Sequence, residues 1–165
     1  MMSPIALARL LMRRTRQHHA IEHATLHMLA ERFPLRSFAA VSDPLGFTIY
    51  GDVTEPLLRR AVGDALLRLQ AGERHLAIHP NCGTNLATSA VLATLAAWLG
   101  LAGRRPWFDK LGAAVMLVVA ALVAARPLGL RLQVYTTSAA VADRWVAEIR
   151  TVQAGTLVAH RVVFE

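Results

Sequence analysis

The chain has 165 residues, which corresponds to about one domain. Hydrophobic residues make up 55% of it, charged residues only 18%, and the formal net charge is +7. So apolar a chain is not disordered, and the presence of a single cysteine excludes a disulfide scaffold. Because the arginines are scattered without aromatic interleaving or zinc-finger spacing, we expect no nucleic-acid partner. Two classes remain, a compact cytosolic protein with an apolar core and a small membrane protein.

The first predicted element is a long helix over residues 5–32. Ser3-Pro4 is a typical helix start, and neither Gly nor Pro interrupts the chain before Phe33-Pro34. The apolar start of this helix is followed by three arginines, Arg13, Arg14 and Arg16. A signal peptide has its charges before the apolar stretch, so the segment fits either a helix on a membrane surface or a core helix.

A small mixed sheet is predicted from short strands on both sides of the chain's centre. The elements expected first are a loop over 33–46 with a turn at Asp43-Pro44, a strand over 47–50, a helix from Thr54 to about Gln70 and a strand over 75–79. Together the last three form a β-α-β unit. The elements expected in the tail are a strand over 130–136 and a hairpin of 146–152 with 156–164 around Ala154-Gly155.

Two uncharged stretches, residues 86–102 and 111–125, lie on either side of a short basic turn. As helices they cover about 22–26 Å, slightly short of a hydrocarbon core of about 30 Å. Flanking aromatic residues and arginines that reach the interface can make up the difference. We favour a membrane hairpin, and the alternative is a helical hairpin buried in a soluble core.

The distribution of cations predicts the orientation of such a hairpin. The turn contains only three of the 18 cations, Arg104, Arg105 and Lys110, and the flanking parts contain the others. The positive-inside rule then places most of the chain in the cytoplasm. The predicted fold class is α+β with a transmembrane helical hairpin. Its parts are an N-terminal cytoplasmic α/β part (1–85), the hairpin (86–126) and a β-rich tail (127–165) that packs back on the N-terminal part.

A histidine-rich run provides the main chemical signal. Four of the seven histidines fall within residues 18–27, and His19, His23 and His27 are spaced by four, along one face of a helix. Residues 19–23 read H-x-x-E-H, the inverted zincin pattern. Two imidazoles one turn apart can bind one metal while a neighbouring carboxylate takes a proton from water. We therefore predict His19 and His23 as metal ligands and Glu22 as the catalytic general base.

A second segment, His79-Pro80-Asn81-Cys82-Gly83-Thr84, leads directly into the first apolar stretch. A helix N-terminus favours the thiolate of a cysteine, and two histidines with a cysteine form a known zinc ligand set. We predict His79 and Cys82 as further ligands and zinc as the cofactor. A single histidine is usually solvated or hydrogen-bonded and a lone cysteine is usually a buried hydrophobe, but the crowding of candidates favours a metal site. His75 and His160 are expected to be structural.

The two segments resemble those of the YqhQ-like family of bacterial membrane proteins, which are described as uncharacterised or as predicted metal-dependent enzymes. Members carry a His-Gly-Ala-Glu-His-Lys-Thr type segment, then a His-Pro-x-Cys-Gly-Thr segment that runs into transmembrane helices. The matching positions here are His19, Glu22, His23, His79 and Cys82. This chain departs in having Ala20 where the family tends to have Gly, and only two candidate spans. The resemblance implies a metal site in a membrane protein and does not imply a particular reaction.

Three functions are compatible with this sequence. The first, which we favour, is a membrane-associated metal-dependent hydrolase, most simply a zinc peptidase, that acts on an unknown protein or peptide beside the lipid bilayer. The second is a non-catalytic metal- or haem-binding membrane module, in which full ligation would leave Glu22 as an orienting group. The third is a structural or interaction protein whose histidines bind no metal.

Overall fold

The elements of this α+β protein come from a computed structural model that describes residues 3–154 and 157–165. The helices are α1 (Pro4–Arg32), α2 (Glu55–Gln70), α3 (Gly83–Leu101) and α4 (Trp107–Thr136), and a short 3-10 helix spans Arg74–Ala77. The strands are β1 (Ala39–Asp43), β2 (Gly46–Tyr50), β3 (Val146–Ala154) and β4 (Leu157–Phe164). The chain divides into a first unit, Met1–His79 with Tyr135–Glu165, and a second unit, Pro80–Val134.

Helix α1 begins and ends where the sequence predicts. The Oγ of Ser3 accepts a hydrogen bond from the backbone N–H of Ala6 at 3.2 Å, and Pro4 occupies the first turn. The helix ends before Phe33, because Pro34 disfavours a helical conformation at the residue before it. From Gln17 onward α1 is largely buried against α2, β1 and β2 in the first unit. This packing fixes the orientation of its histidines.

The four-stranded sheet of the first unit has the order β1-β2-β4-β3, and every strand pair is antiparallel. The prediction of a mixed sheet with a β-α-β unit is therefore wrong. Strand β1 lies within the segment 33–46, for which a loop is predicted. The sequence does not indicate this strand, because it is a partly exposed edge strand without an apolar alternation. The predicted strand over 47–50 and the tail hairpin are confirmed, while the turn predicted at Gly155 lies outside the described residues.

Two further predicted strands are wrong. Residues 75–77 belong to the 3-10 helix Arg74–Ala77, and the chain is extended at Ile78 after it. The adjacent residues Leu76 and Ala77 are both buried. A strand would bury alternate residues instead. Residues 130–136 continue α4, which contains Pro127 without ending there. A short alternation of apolar and polar residues does not distinguish a strand from a helix segment.

The second unit is a pair of apolar helices, α3 and most of α4, which pack through small residues. The Cβ of any larger residue at Gly100 would lie 2.3 Å from the Cα of Ala114, and one at Gly129 would lie 2.5 Å from the Oδ1 of Asn85. A hydrogen bond from the side-chain amide of Gln133 to the same oxygen, 3.0 Å long, joins the two helices. Small residues of this kind permit close helix contact in lipid.

Both apolar helices are long and apolar enough to cross a membrane. With 19 and 30 residues they extend over about 29 and 45 Å. Only 17% and 11% of their most apolar segments are buried, so most of the apolar side chains face outward. A core helix of a soluble protein would be mostly buried. The burial therefore favours lipid contact, and crossing of the membrane stays a prediction.

Valine at Gly100 is expected to destabilise the pairing of α3 and α4 by about 2 kcal/mol, because its side chain overlaps the backbone of Ala114. Helix content during titration of the detergent-solubilised chain with dodecyl sulfate measures this change. Gly112→Val is the matched control, since among the described residues a Cβ at Gly112 would meet no atom within 4 Å apart from its own helix backbone and chain neighbours, and the change in helix propensity is the same. Equal midpoints for the two variants would contradict the prediction.

Candidate metal centre

Four imidazole rings form a row in the first unit. His19, His23 and His27 occupy successive turns of α1, and His79 follows the 3-10 helix that packs alongside α1. The ring centroids of His19 and His23 are 4.4 Å apart, those of His23 and His79 are 5.6 Å apart, and those of His27 and His79 are 5.0 Å apart. The structure therefore brings three of the predicted ligands together and adds His27 at the end of the row.

Backbone carbonyls select the tautomers of the two histidines in the H-x-x-E-H motif. The Nδ1 of His23 lies 2.7 Å from the carbonyl oxygen of Ala77, and the Nδ1 of His19 lies 3.1 Å from that of Thr136. Because a carbonyl only accepts, each Nδ1 carries a proton and donates it. The lone pair of each neutral ring is then on Nε2, as in a histidine held for metal binding by a backbone oxygen.

His23 has the most informative environment of the four rings. Its side chain is completely buried, and its Nε2 has no hydrogen-bond partner within residues 3–154 and 157–165. A buried nitrogen left without a partner costs about 1–3 kcal/mol. Six buried side-chain atoms of the described residues are in this state, but among them only the Nε2 of His23 belongs to a ring of the imidazole row. This nitrogen is suited to bind a metal ion, because a metal ion requires a ligand with a lone pair and without a proton.

His79 stays neutral over the physiological pH range. Burial, together with the positive charges that His23 and His27 would acquire, lowers its pKa to about 4. A neutral imidazole keeps a lone pair for a cation, whereas an imidazolium has none. The charge state of His79 therefore agrees with the ligand role predicted for it.

Glu22 contacts the sheet. Its side chain is only 5% exposed, and the hydroxyl of Ser42 on β1 donates a hydrogen bond to its Oε2. On a helix with about 100° per residue, Glu22 lies about 60° from His19 and about 100° from His23. This offset on the flank of the histidine face is what the H-x-x-E-H spacing implies for a general base. The contact with Ser42 was not predicted, because β1 was assigned to a loop.

Cys82 belongs to the second unit. It caps the N-terminus of α3, where its Sγ accepts a hydrogen bond from the backbone N–H of Thr84 at 3.4 Å. Its side chain is buried. Only two residues separate it from His79 in the sequence. Its role as a ligand stays a prediction.

The remaining histidines lie outside the imidazole row, although His18 is completely buried like His23 and its Nε2 also has no hydrogen-bond partner among the described residues. His18 lies on the sheet side of α1, where its Nδ1 donates to the carbonyl of Asp43 at 2.9 Å and its ring stacks on Phe164. Burial lowers the pKa of His18 below its usual value. Both ring nitrogens of His160 have partners, Val53 and Thr151. These contacts agree with the structural role predicted for His160.

Similarity to other proteins was found at the family level. The family described as Domain of unknown function (DUF6391) matches residues 14–149, a range that includes both motif segments. An uncharacterized protein of Picosynechococcus sp. is 41% identical over 101 residues, which cover 56% of this chain and 47% of that protein. The chain thus matches about half the length of this curated relative. No solved structure matches the chain. The resemblance to the YqhQ-like family stays a prediction.

Proposed function

We propose that this chain, which belongs to the DUF6391 family, is a membrane-associated zinc-dependent hydrolase, most simply a peptidase. The observation that carries the proposal is the buried Nε2 of His23, which has no hydrogen-bond partner in the described part of the chain. The proposed ligands are His19, His23, His79 and Cys82, and the proposed general base is Glu22. A bilayer and a protein or peptide substrate are the proposed partners.

The metal part of the proposal rests on how the histidines are held. The carbonyls of Thr136 and Ala77 orient the rings of His19 and His23 and keep the proton on Nδ1. Both rings lie one helical turn apart, a spacing that allows two imidazoles to bind one ion. Zinc bound there would supply Lewis-acid polarisation of a scissile carbonyl and would acidify water.

The catalytic part assigns proton transfer to Glu22. Its carboxylate would take a proton from the attacking water and later give that proton to the leaving amine. The hydroxyl of Ser42 binds one carboxylate oxygen and so restricts the rotation of the side chain. The burial of Glu22 keeps bulk water from competing for the same proton.

The membrane part rests on α3 and α4. Their outward-facing apolar side chains, among them Trp98, Phe108 and Val123, would be stabilised by lipid. The turn between the helices contains three of the 18 cations, which supports a cytoplasmic location for the rest of the chain at a bacterial inner membrane.

A second candidate function is a non-catalytic metal-binding membrane module. The observation in its favour is that the carboxylate of Glu22 is 5% exposed and bound by Ser42. In this case Glu22 would orient the helix and its histidines and would transfer no proton.

Zinc-dependent cleavage tests the hydrolase. The full chain, purified in detergent, is incubated with a library of quenched fluorescent peptides, with and without the chelator 1,10-phenanthroline. We expect cleavage that chelation abolishes and added zinc restores. Bound zinc without cleavage would support the non-catalytic module. Cleavage that survives chelation would contradict both the metal role and the assignment of Glu22.

A further inference from the structure

The first turns of α1 form an arm that does not pack on the core of the first unit. Residues 3–9 and 11–13 are exposed, and the first buried residue of the helix is Gln17. We call residues 4–13 the N-terminal arm. Isolated helical segments of this length are marginal in water, so an arm of this kind needs a partner surface to be a stable helix.

The arm has distinct apolar and cationic sides. The exposed fractions of its large apolar side chains are 68% for Ile5, 48% for Leu7, 38% for Leu11 and 63% for Met12. At about 100° per residue these four side chains occupy an arc of about 160°. Arg9 and Arg13 lie in the remaining arc. An apolar arc beside arginines is the pattern of helices that lie in a membrane interface.

The charge of the arm selects among possible partner surfaces. The arm contains two arginines, Arg9 and Arg13, and no acidic residue. The side chain of Arg13 forms an ion pair with Asp143 at 2.8 Å, and both groups are largely exposed, so this pair is weak. The positive end of the helix dipole adds to the same field. Two arms of this charge would repel each other, which disfavours a second copy of the chain as the partner.

We propose that the N-terminal arm lies in the interface of a bilayer that contains anionic phospholipid. Leu7, Leu11 and Met12 insert among the upper parts of the acyl chains, and the exposed Arg9 and Arg13 contact lipid phosphates. Arginine suits this role because its planar guanidinium binds phosphate through two parallel hydrogen bonds. The proposal concerns the surface of the first unit and does not depend on zinc or on catalysis.

Amide hydrogen exchange of the full chain tests this proposal. The chain is placed in nanodiscs of phosphatidylcholine alone or of phosphatidylcholine with phosphatidylglycerol, and exchange is followed in peptides that cover residues 5–13. With phosphatidylglycerol we expect exchange to slow by about tenfold, because the bound arm is held helical. High salt is expected to reverse much of this protection, since the attraction to exposed charges is screened.

A variant in the arm and a control variant in α2 show whether the protection depends on the arm itself. Leu7→Asp combined with Arg9→Glu removes one apolar and one cationic contact at exposed positions, and we expect it to abolish the protection without a change in melting temperature. Leu67→Asp combined with Arg60→Glu makes the same change of charge at exposed positions of α2 and is expected to leave the arm protected.

Three outcomes would overturn the proposal. They are unchanged exchange in phosphatidylglycerol, equal protection in both lipids, and protection that appears only with two chains in one nanodisc. The last would make a second copy the partner. The exchange experiment measures neither zinc content nor peptide cleavage. A negative result would therefore contradict the proposal for the arm and leave the hydrolase proposal untouched.

Discussion

Alanine at His23 is expected to lower the affinity of the chain for zinc by about 100-fold or more, because one ligand nitrogen is removed. The Nε2 of His23 is buried and has no hydrogen-bond partner in the described residues, and its Nδ1 is held by Ala77. Metal analysis after detergent purification and dialysis against a competing chelator measures the change. For the unmodified chain we expect about one zinc per chain.

His75→Ala is the control for this variant. His75 is exposed and lies in the segment that packs on α1, so its loss leaves the imidazole row intact. Circular dichroism of both variants shows whether the first unit stays folded. Cys82→Ala is measured in parallel, and loss of zinc in this variant as well would assign both motif segments to one site. An unmodified chain that binds no zinc after repletion would exclude both metal-based functions.

Glutamine at Glu22 is expected to lower kcat/KM for peptide cleavage by about 10²–10⁴-fold and to leave zinc content unchanged. The amide keeps the size of the side chain and its ability to accept from Ser42, but it cannot take a proton from water. Cleavage of the most reactive library peptide and metal analysis of the same sample give the two readouts.

Asp64→Asn serves as the matched control, since Asp64 is an exposed acid on α2 and its amide should leave both readouts unchanged. Ser42→Ala tests positioning, because Glu22 keeps its charge and loses one donor. We expect an intermediate loss of kcat from this variant with little change in KM. Full turnover by Glu22→Gln would remove Glu22 from the chemistry, and loss of zinc would make it a structural group instead.

The parts of the fold that were predicted correctly depend on local signals. Ser3, Pro4 and Pro34 mark the ends of α1 through caps and restricted backbone angles, which act within one turn. The apolar composition of residues 86–102 and 111–125 indicates α3 and α4, because an uninterrupted apolar run is visible without knowledge of its neighbours. The strand over 47–50 lies between two glycines, Gly46 and Gly51, and was found for the same reason.

The wrong predictions concern segments whose structure depends on distant partners. Strand β1 is an edge strand that pairs only with β2 in the sheet, and its sequence lacks an apolar face. Residues 75–79 alternate like a strand, yet they form most of the 3-10 helix and its exit, and that helix packs against α1. In both cases tertiary contacts outweigh a weak local preference.

The helix face that carries the site follows from the sequence of α1 alone. Helical periodicity places His19, His23 and His27 on consecutive turns with Glu22 on their flank, and this requires only the existence of α1. The atom that each of these side chains contacts depends on the packing of distant segments. The carbonyls that orient His19 and His23 come from residues 117 and 54 positions away, and Ser42 reaches Glu22 from β1. The proton position on an imidazole depends on such contacts, which arise only when the sheet, the 3-10 helix and the end of α4 pack against α1.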